Sequence, residues 1–287
     1  MARENAHRLF ARLAADLETV CLDYPGKVGC PLCLAVFGED VIDFDEPQLT
    51  EEHIIPGELG GKLITLTCKR CNNLHGAELD SHLVQRLRVQ DSLAGAHDWP
   101  LKGRIEVDGK AVPADVDWRA HLHETTGFRL RQFDPAVHAA IRQSLKDGTV
   151  IKVHFSFGYV PYRTHMAVLR IAYLACFRKW GYRFILSPAV QVVRNLINDF
   201  HNVNEQVSEI VGEIQAISPA PQEPIQFLQF EEAIMAIITL QAVKKRCYAT
   251  FLPFPGTPPE EVIDTLVRTA RSVGNRLRKR VSPEAGK

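Results

Sequence analysis

No stretch of about 18 apolar residues occurs in this chain, so its sequence offers no transmembrane helix. Its first residues lack the basic-then-apolar pattern of a secretory leader, and the expectation is a cytoplasmic protein that does not meet a membrane. Net charge is missing as well. The 34 Lys and Arg are balanced by 34 Asp and Glu, and a chain without overall charge neither favours nor disfavours nucleic acid, so only the distribution of charge can speak. Internal repeats and low-complexity segments are absent. With 46% hydrophobic residues among 287, there is apolar material for one large or two ordinary cores. Cysteine is sparse and odd in number, seven in all, which argues against a disulfide framework. Four of the seven stand as C-x-x-C pairs, Cys30 with Cys33 and Cys68 with Cys71, a spacing that favours metal; Cys21, Cys176 and Cys247 read as core thiols.

Charge of one sign is scarce in one window and missing in another. From Asp23 to Glu52 the only base is Lys27. From Gly148 to Asn198 there is no Asp or Glu at all, while Arg163, Arg170, Arg178 and Lys179 stand among Tyr162, Tyr173, Phe177 and Trp180. On a helix from about Thr164 to Trp180 these cations form a basic ridge on an aromatic-rich body, the kind of surface a phosphate backbone engages. The bland reading is a core helix, built on Val168, Leu169, Ile171, Tyr173, Leu174 and Phe177, with a solvated basic face.

Along the chain, residues 3–21 carry Leu9, Phe10, Leu13, Leu17 and Val20 at helical spacing. A small-residue segment with a Trp-Pro step places a domain boundary near residue 97. Residues 1–97 then form an N-terminal helix with a zinc-bound module. Residues 98–287 form a larger accessory domain that positions substrate or binds a partner. Within it, Asp108-Gly109 marks a hairpin, and a long helix is expected from Ala189 to Ile217. Ala233–Leu240 and Cys247–Pro253 read as paired strands, and a last helix runs from Glu260 to Arg280. The fold class is α+β, with long helices in the second part.

The densest chemistry lies in residues 51–82, EEHIIPGELGGKLITLTCKRCNNLHGAELDSH. Glu51 to Pro56 suits a short strand ending in a loop, Gly60-Gly61 is a turn, and Lys62 to Thr67 alternates as a second strand would. A knuckle at Cys68 to Cys71 leads into a helix marked by Leu79, Leu83 and Leu87. The other knuckle, Cys30 to Cys33, lies upstream of the whole motif. Four thiolates in two knuckles suit tetrahedral zinc with no open position, a staple for a module too small to hold itself by its core.

This stretch resembles the HNH endonuclease family, in the subset written E-H-I-I-P, L-G-G, C-x-x-C-N-N-x-x-G-x-x-x-D, over roughly residues 28–90. The resemblance implies a ββα-metal module that hydrolyses phosphodiester bonds, with double-stranded DNA as the expected substrate. It makes His53 the general base and Glu52 and Asn72 catalytic residues that hold a divalent ion, magnesium or manganese, with His75 a further ligand on the same helix face. Asp80 fits the subset's pattern, whereas Asp80 and His82 read equally well as a polar helix face. The chain departs from the family in having Glu52 where many members carry Asp, and in having no Asn between His53 and Asn72. Neighbours on a regular strand point to opposite faces, so Glu52 and His53 share one centre only where the backbone bends. Two other readings remain: a zinc-containing nucleic-acid-binding protein without turnover, and a nuclease effector of a defence or mobile-element system with a C-terminal sensor.

Overall fold

The computed structural model describes residues 2–94, 101–107, 110–117, 127–130, 135–147, 152–155, 157–214, 223–230 and 232–281. The chain opens with α1 (Ala2–Glu18), the short strands β1 (Val28–Gly29) and β2 (Val36–Phe37), and the pair β3 (Leu49–His53) and β4 (Ile64–Cys68). Then come α2 (Lys69–His75), a π-helical turn at Gly76–Asp80 and α3 (Ser81–Leu93). β5 (Leu101–Val107), β6 (Lys110–Asp117), β7 (Gly127–Leu130), α4 (Pro135–Lys146) and β8 (Lys152–Phe155) follow. The remainder is α5 (Pro161–Ile185), α6 (Pro188–Asn198), α7 (Glu205–Ile210), β9 (Val211–Ile214), β10 (Ile225–Gln229), β11 (Ala233–Gln241), β12 (Lys245–Pro253) and α8 (Val262–Val281). The class is α+β, as expected. Among the described residues no helix is long and apolar enough to cross a membrane.

Contacts divide the chain into two units, but not at residue 97, which lies outside the described residues. One unit takes residues 1–83, 160–241 and 245–287; the other takes 84–159 and 242–244. The linear split therefore gives way to a discontinuous one, because α5 and the segments after it pack with the cysteine module rather than with the strands that precede them. In the smaller unit an antiparallel sheet runs in the order β7-β6-β5-β8. Val107 pairs with Lys110 across the β5–β6 connection; the Asp108-Gly109 turn itself is outside the described residues.

In the larger unit, α1 buries Ala6, Leu9, Phe10, Leu13, Ala14 and Leu17, one face at helical spacing, and that face packs on α5 and β4. A sheet in the order β10-β11-β12-β9 lies beside them. β11 is buried at eight successive positions, so both of its faces are covered. The expected β11–β12 hairpin is present in continuous register from Ala233↔Pro253 to Gln241↔Lys245.

The single helix expected from Ala189 to Ile217 is instead three elements. α6 ends at Asn198, Asn204 caps α7 by accepting a hydrogen bond from Gln206 N at 3.0 Å, and Val211–Ile214 is a strand paired with β12. The apolar positions Val207, Ile210 and Val211 fit a helical period, but an open edge on β12 offers backbone hydrogen bonds that outweigh so weak a local preference.

Every residue of α5 from Met166 to Phe177 is buried, so this is a central helix with apolar contacts all round rather than a helix with a wet basic stripe. It is also the element that fixes the cysteine module. Tyr173 Oη donates to Pro31 O at 2.6 Å. Tyr182 Oη donates to Gly29 O at 2.6 Å and accepts from Gly29 N at 2.9 Å. Between these two tyrosines, Gly181 adopts φ +66° and ψ −157°, a conformation essentially confined to glycine. A Cβ there would lie 2.1 Å from Asp16 Oδ2, the oxygen that receives Tyr182 N at 2.7 Å.

Candidate functional site

The four paired cysteines converge. Their sulfurs all lie within 4.8 Å of one another, although 34 residues separate the two knuckles in sequence. The first knuckle is a tight reversal between β1 and β2: Cys30 N donates to Ala35 O and Leu34 N to Cys30 O, both at 2.8 Å. It is closed by Leu34 at φ 60°. The second knuckle forms where β4 turns into α2, with Cys71 N donating to Cys68 Sγ at 3.4 Å. Cys68 N donates at 3.4 Å to Cys30 Sγ, tying one knuckle to the other.

A tetrahedral ion with metal–sulfur bonds of about 2.3 Å needs sulfurs about 3.8 Å apart, and Cys33 Sγ lies 3.7 Å from Cys68 Sγ, far beyond disulfide length. The backbone N–H groups aimed at sulfur favour thiolate. Within the cluster, hydrogen bonds from Cys30 pull Cys68 down to about 2 and Cys33 to about 6, while Cys30, engaged by its neighbours and buried, is pushed up. Four sulfurs in this arrangement can hold a metal such as zinc.

Downstream of the first knuckle, β3 and β4 pair from Leu49↔Cys68 to His53↔Ile64, and α2 packs on both strands: strand, strand, helix, in the expected order. The connection is built on its glycines. Ile54 N donates to Leu63 O at 2.9 Å and Gly61 N to Pro56 O at 3.2 Å, while Gly60 sits at φ 82°. A Cβ on Gly61 would stand 1.7 Å from Ile55 O, so no side chain fits without opening the loop. Gly61→Ala is expected to cost about 2–3 kcal/mol. Urea unfolding measures this, and limited proteolysis should show the first new cuts between residues 54 and 63.

The pleat puts Thr50 and Glu52, with cross-strand partners Thr67 and Thr65, on one face, and Glu51 and His53 on the other. α2 addresses the first face: Asn72 Nδ2 donates to Thr50 Oγ1 at 3.0 Å and to Glu51 O at 3.3 Å. Anchored by its nitrogen, Asn72 presents a carbonyl oxygen that accepts no hydrogen bond among the described residues. α1 addresses the second face, where Asn5 Nδ2 donates to Glu51 Oε1 at 2.6 Å. His53, at the strand's end, is exposed, whereas Glu52 is 3% exposed.

Glu52 is held by a residue from far along the chain. Arg170 of α5, 0% exposed, donates one terminal nitrogen to Glu52 Oε1 and the other, at 3.0 Å, to both oxygens of Asp80. The expectation that Arg170 contributes to a basic surface is therefore incorrect. It faces inward from a helix buried on all sides, and its charge is spent between two carboxylates. Burial raises Glu52 despite the opposing effect of Arg170, and in the same way pushes Asp80 up to about 6. Glu52 Oε2 remains buried without a hydrogen-bond partner among the described residues.

His75 lies inward as well. It is 1% exposed, its ring meets Phe200 edge-on at 6.0 Å between centroids, and among the described residues neither ring nitrogen makes a hydrogen bond of good geometry, although the side chain of Asn198 acts to raise its basicity. Burial, reinforced by the charge of Arg170, lowers it to about 4.

Asp80 and His75 pull in opposite directions in acid. Asp80, raised above its unfolded value, takes up a proton in the folded state as pH falls through about 6, which adds stability relative to neutral pH. His75, lowered to about 4, stays neutral when folded while the unfolded chain protonates below about 6.5, which removes stability. Asp80→Asn deletes the first contribution and keeps the second. The gap in unfolding free energy between Asp80→Asn and wild type should then widen by about 1 kcal/mol from pH 7 to pH 5. Urea titrations at the two pH values measure it; a gap that narrows contradicts the assignment.

The other expected phosphate contacts are partly engaged. Arg163 pairs with Glu78 and lies 5.7 Å over the ring of Phe200. Arg178 Nη1 donates to Ile64 O at 2.7 Å. Lys179 stands over Trp180 at 5.2 Å and Phe227 at 4.9 Å. Sequence reasoning missed the link between Glu52, Arg170 and Asp80. Its only trace is an arginine in a run otherwise apolar enough to be core, where a charge survives only with a partner.

Residues 41–88 match the HNH endonuclease family, and with the hairpin, the glycine turn and the C-x-x-C-N helix in place, this part of the chain is an HNH domain. The match supports nuclease activity of the HNH type in general terms. The match includes His53, Glu52, Asn72, His75 and Asp80 but begins after the first knuckle and ends well before Arg170. Comparison with curated proteins and with solved structures gave no match.

Proposed function

We propose that this chain hydrolyses phosphodiester bonds in nucleic acid, double-stranded DNA first, with His53 removing the proton from the attacking water. The observation that carries the reading is an exposed imidazole at the end of β3, inside the segment that matches a nuclease family and on a strand pair whose partner β4 ends in one of four converging cysteines. An imidazole is the side chain best suited to taking a proton near neutral pH.

The donors left unpaired around α2 fit an oxygen- and nitrogen-lined ion. Among the described residues, Glu52 Oε2 and both nitrogens of His75 make no hydrogen bond of good geometry, and Asn72 is anchored through its nitrogen with no donor on its carbonyl oxygen. These residues would hold magnesium or manganese, which supplies neutralisation of charge on the phosphate and the leaving 3′ oxygen. Arg170 fixes the orientation of Glu52, and zinc on the cysteines keeps β4 joined to the first knuckle. In this reading the protein works in the cytoplasm, and the rest of the chain positions the substrate or senses a partner.

Plasmid nicking with added magnesium or manganese, comparing wild type with His53→Ala, tests this. The variant is expected to lose about 10²- to 10⁴-fold in rate, and equal cleavage by both proteins removes His53 from the mechanism. The second reading, a zinc-containing nucleic-acid-binding protein without turnover, is favoured by the burial of Glu52 on Arg170. DNA binding by wild type, with no nicking in either metal, would establish it.

A further inference from the structure

The parity of β3 decides which carboxylate can serve His53. β3 pairs with β4 in unbroken register, with Glu51 opposite Leu66, Glu52 opposite Thr65 and His53 opposite Ile64. In a strand so paired, alternate side chains share a face, which puts His53 and Glu51 on one side of the hairpin and Glu52 on the other. Burial follows the same division: His53 is exposed and Glu51 half-buried, while Glu52 is shut in with Arg170. Glu52 is the neighbour of His53 in sequence, but Glu51 is its neighbour on the face of the sheet.

Glu51 is held in place without being neutralised. Its Oε1 accepts a 2.6 Å hydrogen bond from Asn5 Nδ2 of α1, a neutral donor, and Asn5 is steadied in turn by Arg8, whose Nη2 donates to Asn5 Oδ1 at 2.7 Å. Its backbone oxygen receives Asn72 Nδ2 of α2 at 3.3 Å. Among the described residues Glu51 Oε2 accepts no hydrogen bond, and neither ring nitrogen of His53 has a partner. Other acids nearby are paired with cations: Glu52 and Asp80 with Arg170, Glu46 with Lys69. Same-face neighbours on a strand have their Cα atoms about 6.5 Å apart. A water making hydrogen bonds of about 2.8 Å to each side bridges two side chains so placed.

We propose that Glu51 is a further catalytic residue of the nuclease: its free oxygen accepts one hydrogen of the attacking water while His53 takes the other as a proton. The O–H bond facing His53 breaks, the water oxygen forms its bond to phosphorus, and the bond from phosphorus to the 3′ oxygen breaks with its electron pair on that oxygen. Glu51 stays ionised throughout. It aims the water and offsets the positive charge that appears on the imidazole. This role rests on the nuclease reading with His53 as base, and adds a residue which that reading does not use. The anchor, Asn5, comes from outside the segment that matches the HNH family.

Glu51→Gln is the informative change, because glutamine keeps an oxygen for Asn5 and nearly the same volume while losing the charge. Wild type, Glu51→Gln, His53→Ala, the double variant of these two and the control Glu4→Gln, which removes an exposed acid of α1, are compared as full-length chains in plasmid nicking with magnesium or manganese. Glu51→Gln should lower kcat about 10- to 100-fold and leave KM within about twofold of wild type. Glu4→Gln should change neither. In the His53→Ala background, Glu51→Gln should cost less than about twofold more, because both side chains act on one water. A structural role for Glu51 predicts instead that its loss carries over in full to the double variant. Wild-type kcat in Glu51→Gln, or a double variant whose loss is the product of the two single losses, overturns Glu51 and leaves the nuclease standing. If wild type does not cleave, or His53→Ala cleaves as fast as wild type, the reading beneath falls and the role of Glu51 falls with it.

Discussion

Cys68→Ser should leave a chain that no longer holds one zinc ion and no longer melts as a folded HNH domain. Cys68 contributes in three ways: its sulfur lies 3.7 Å from that of Cys33, its N–H reaches Cys30 Sγ at 3.4 Å, and its own sulfur caps α2 by accepting from Cys71 N. Serine supplies a far weaker ligand for a soft site, so the remaining three sulfurs are left close together, competing for protons and without the ion that relieves their repulsion. The binding free energy of a structural zinc is of order 10 kcal/mol at pH 7, and in a small module it is folding free energy. Around the first knuckle regular structure is short: β1 and β2 contribute two residues each. Metal analysis of the purified wild type should give one zinc per chain. Chelator, or the serine variant, should lower the melting temperature by more than about 10 °C, since for a chain of this size about 1 kcal/mol moves it by 2–4 °C. Full stability without metal would show that the cysteines are merely reduced neighbours.

Arg170→Met should be the most damaging single change away from the cysteines, costing about 3–5 kcal/mol. Methionine fills much of the volume, so the cavity term is small; what remains is Glu52, at 3% exposure, and Asp80, both without the cation they share. Two buried carboxylates cannot both stay ionised at that separation from water, so in the variant they must take up protons, and its stability should recover in acid. The triple change Glu52→Gln, Asp80→Asn, Arg170→Met should regain part of the loss, because an apolar or neutral replacement of the whole set avoids the cost of desolvating three charges. Unfolding in urea at pH 7 and pH 5 separates these contributions. A cost below about 1 kcal/mol for Arg170→Met would mean that the carboxylates reach solvent and that α5 does not fix Glu52.

The local parts of the HNH domain could be read from residues alone. Gly60-Gly61 predicted a turn, and glycine alone fits where the loop backbone closes on Ile55 O; the leucine spacing predicted a helix after the Cys68–Cys71 knuckle, whereas α2 already begins at Lys69, with the Cys68 thiolate capping it. β11 and β12 were legible from their β-branched and aromatic composition. The segment after Ala189 was not: its apolar spacing fits a helix until Asn204, but pairing of Val211–Ile214 with β12 is a contact between residues more than thirty positions apart, and no local pattern encodes it.

The sequence by itself determined the local features of the domain: which cysteines stand in ligand-spaced pairs, which glycines cannot carry a side chain, and which imidazole ends the first strand of the motif. These are properties of short spacing and intrinsic conformational preference, and they hold wherever the segment is placed. Only the tertiary structure decided what each charge does. Arg170 and Arg178 lie on the same helix, yet one is held in a core between two acids and the other donates to the backbone of β4. The reason is that burial and partnership are set by which helix faces meet in space, and an arginine's function follows from whether its neighbours are carboxylates or carbonyls.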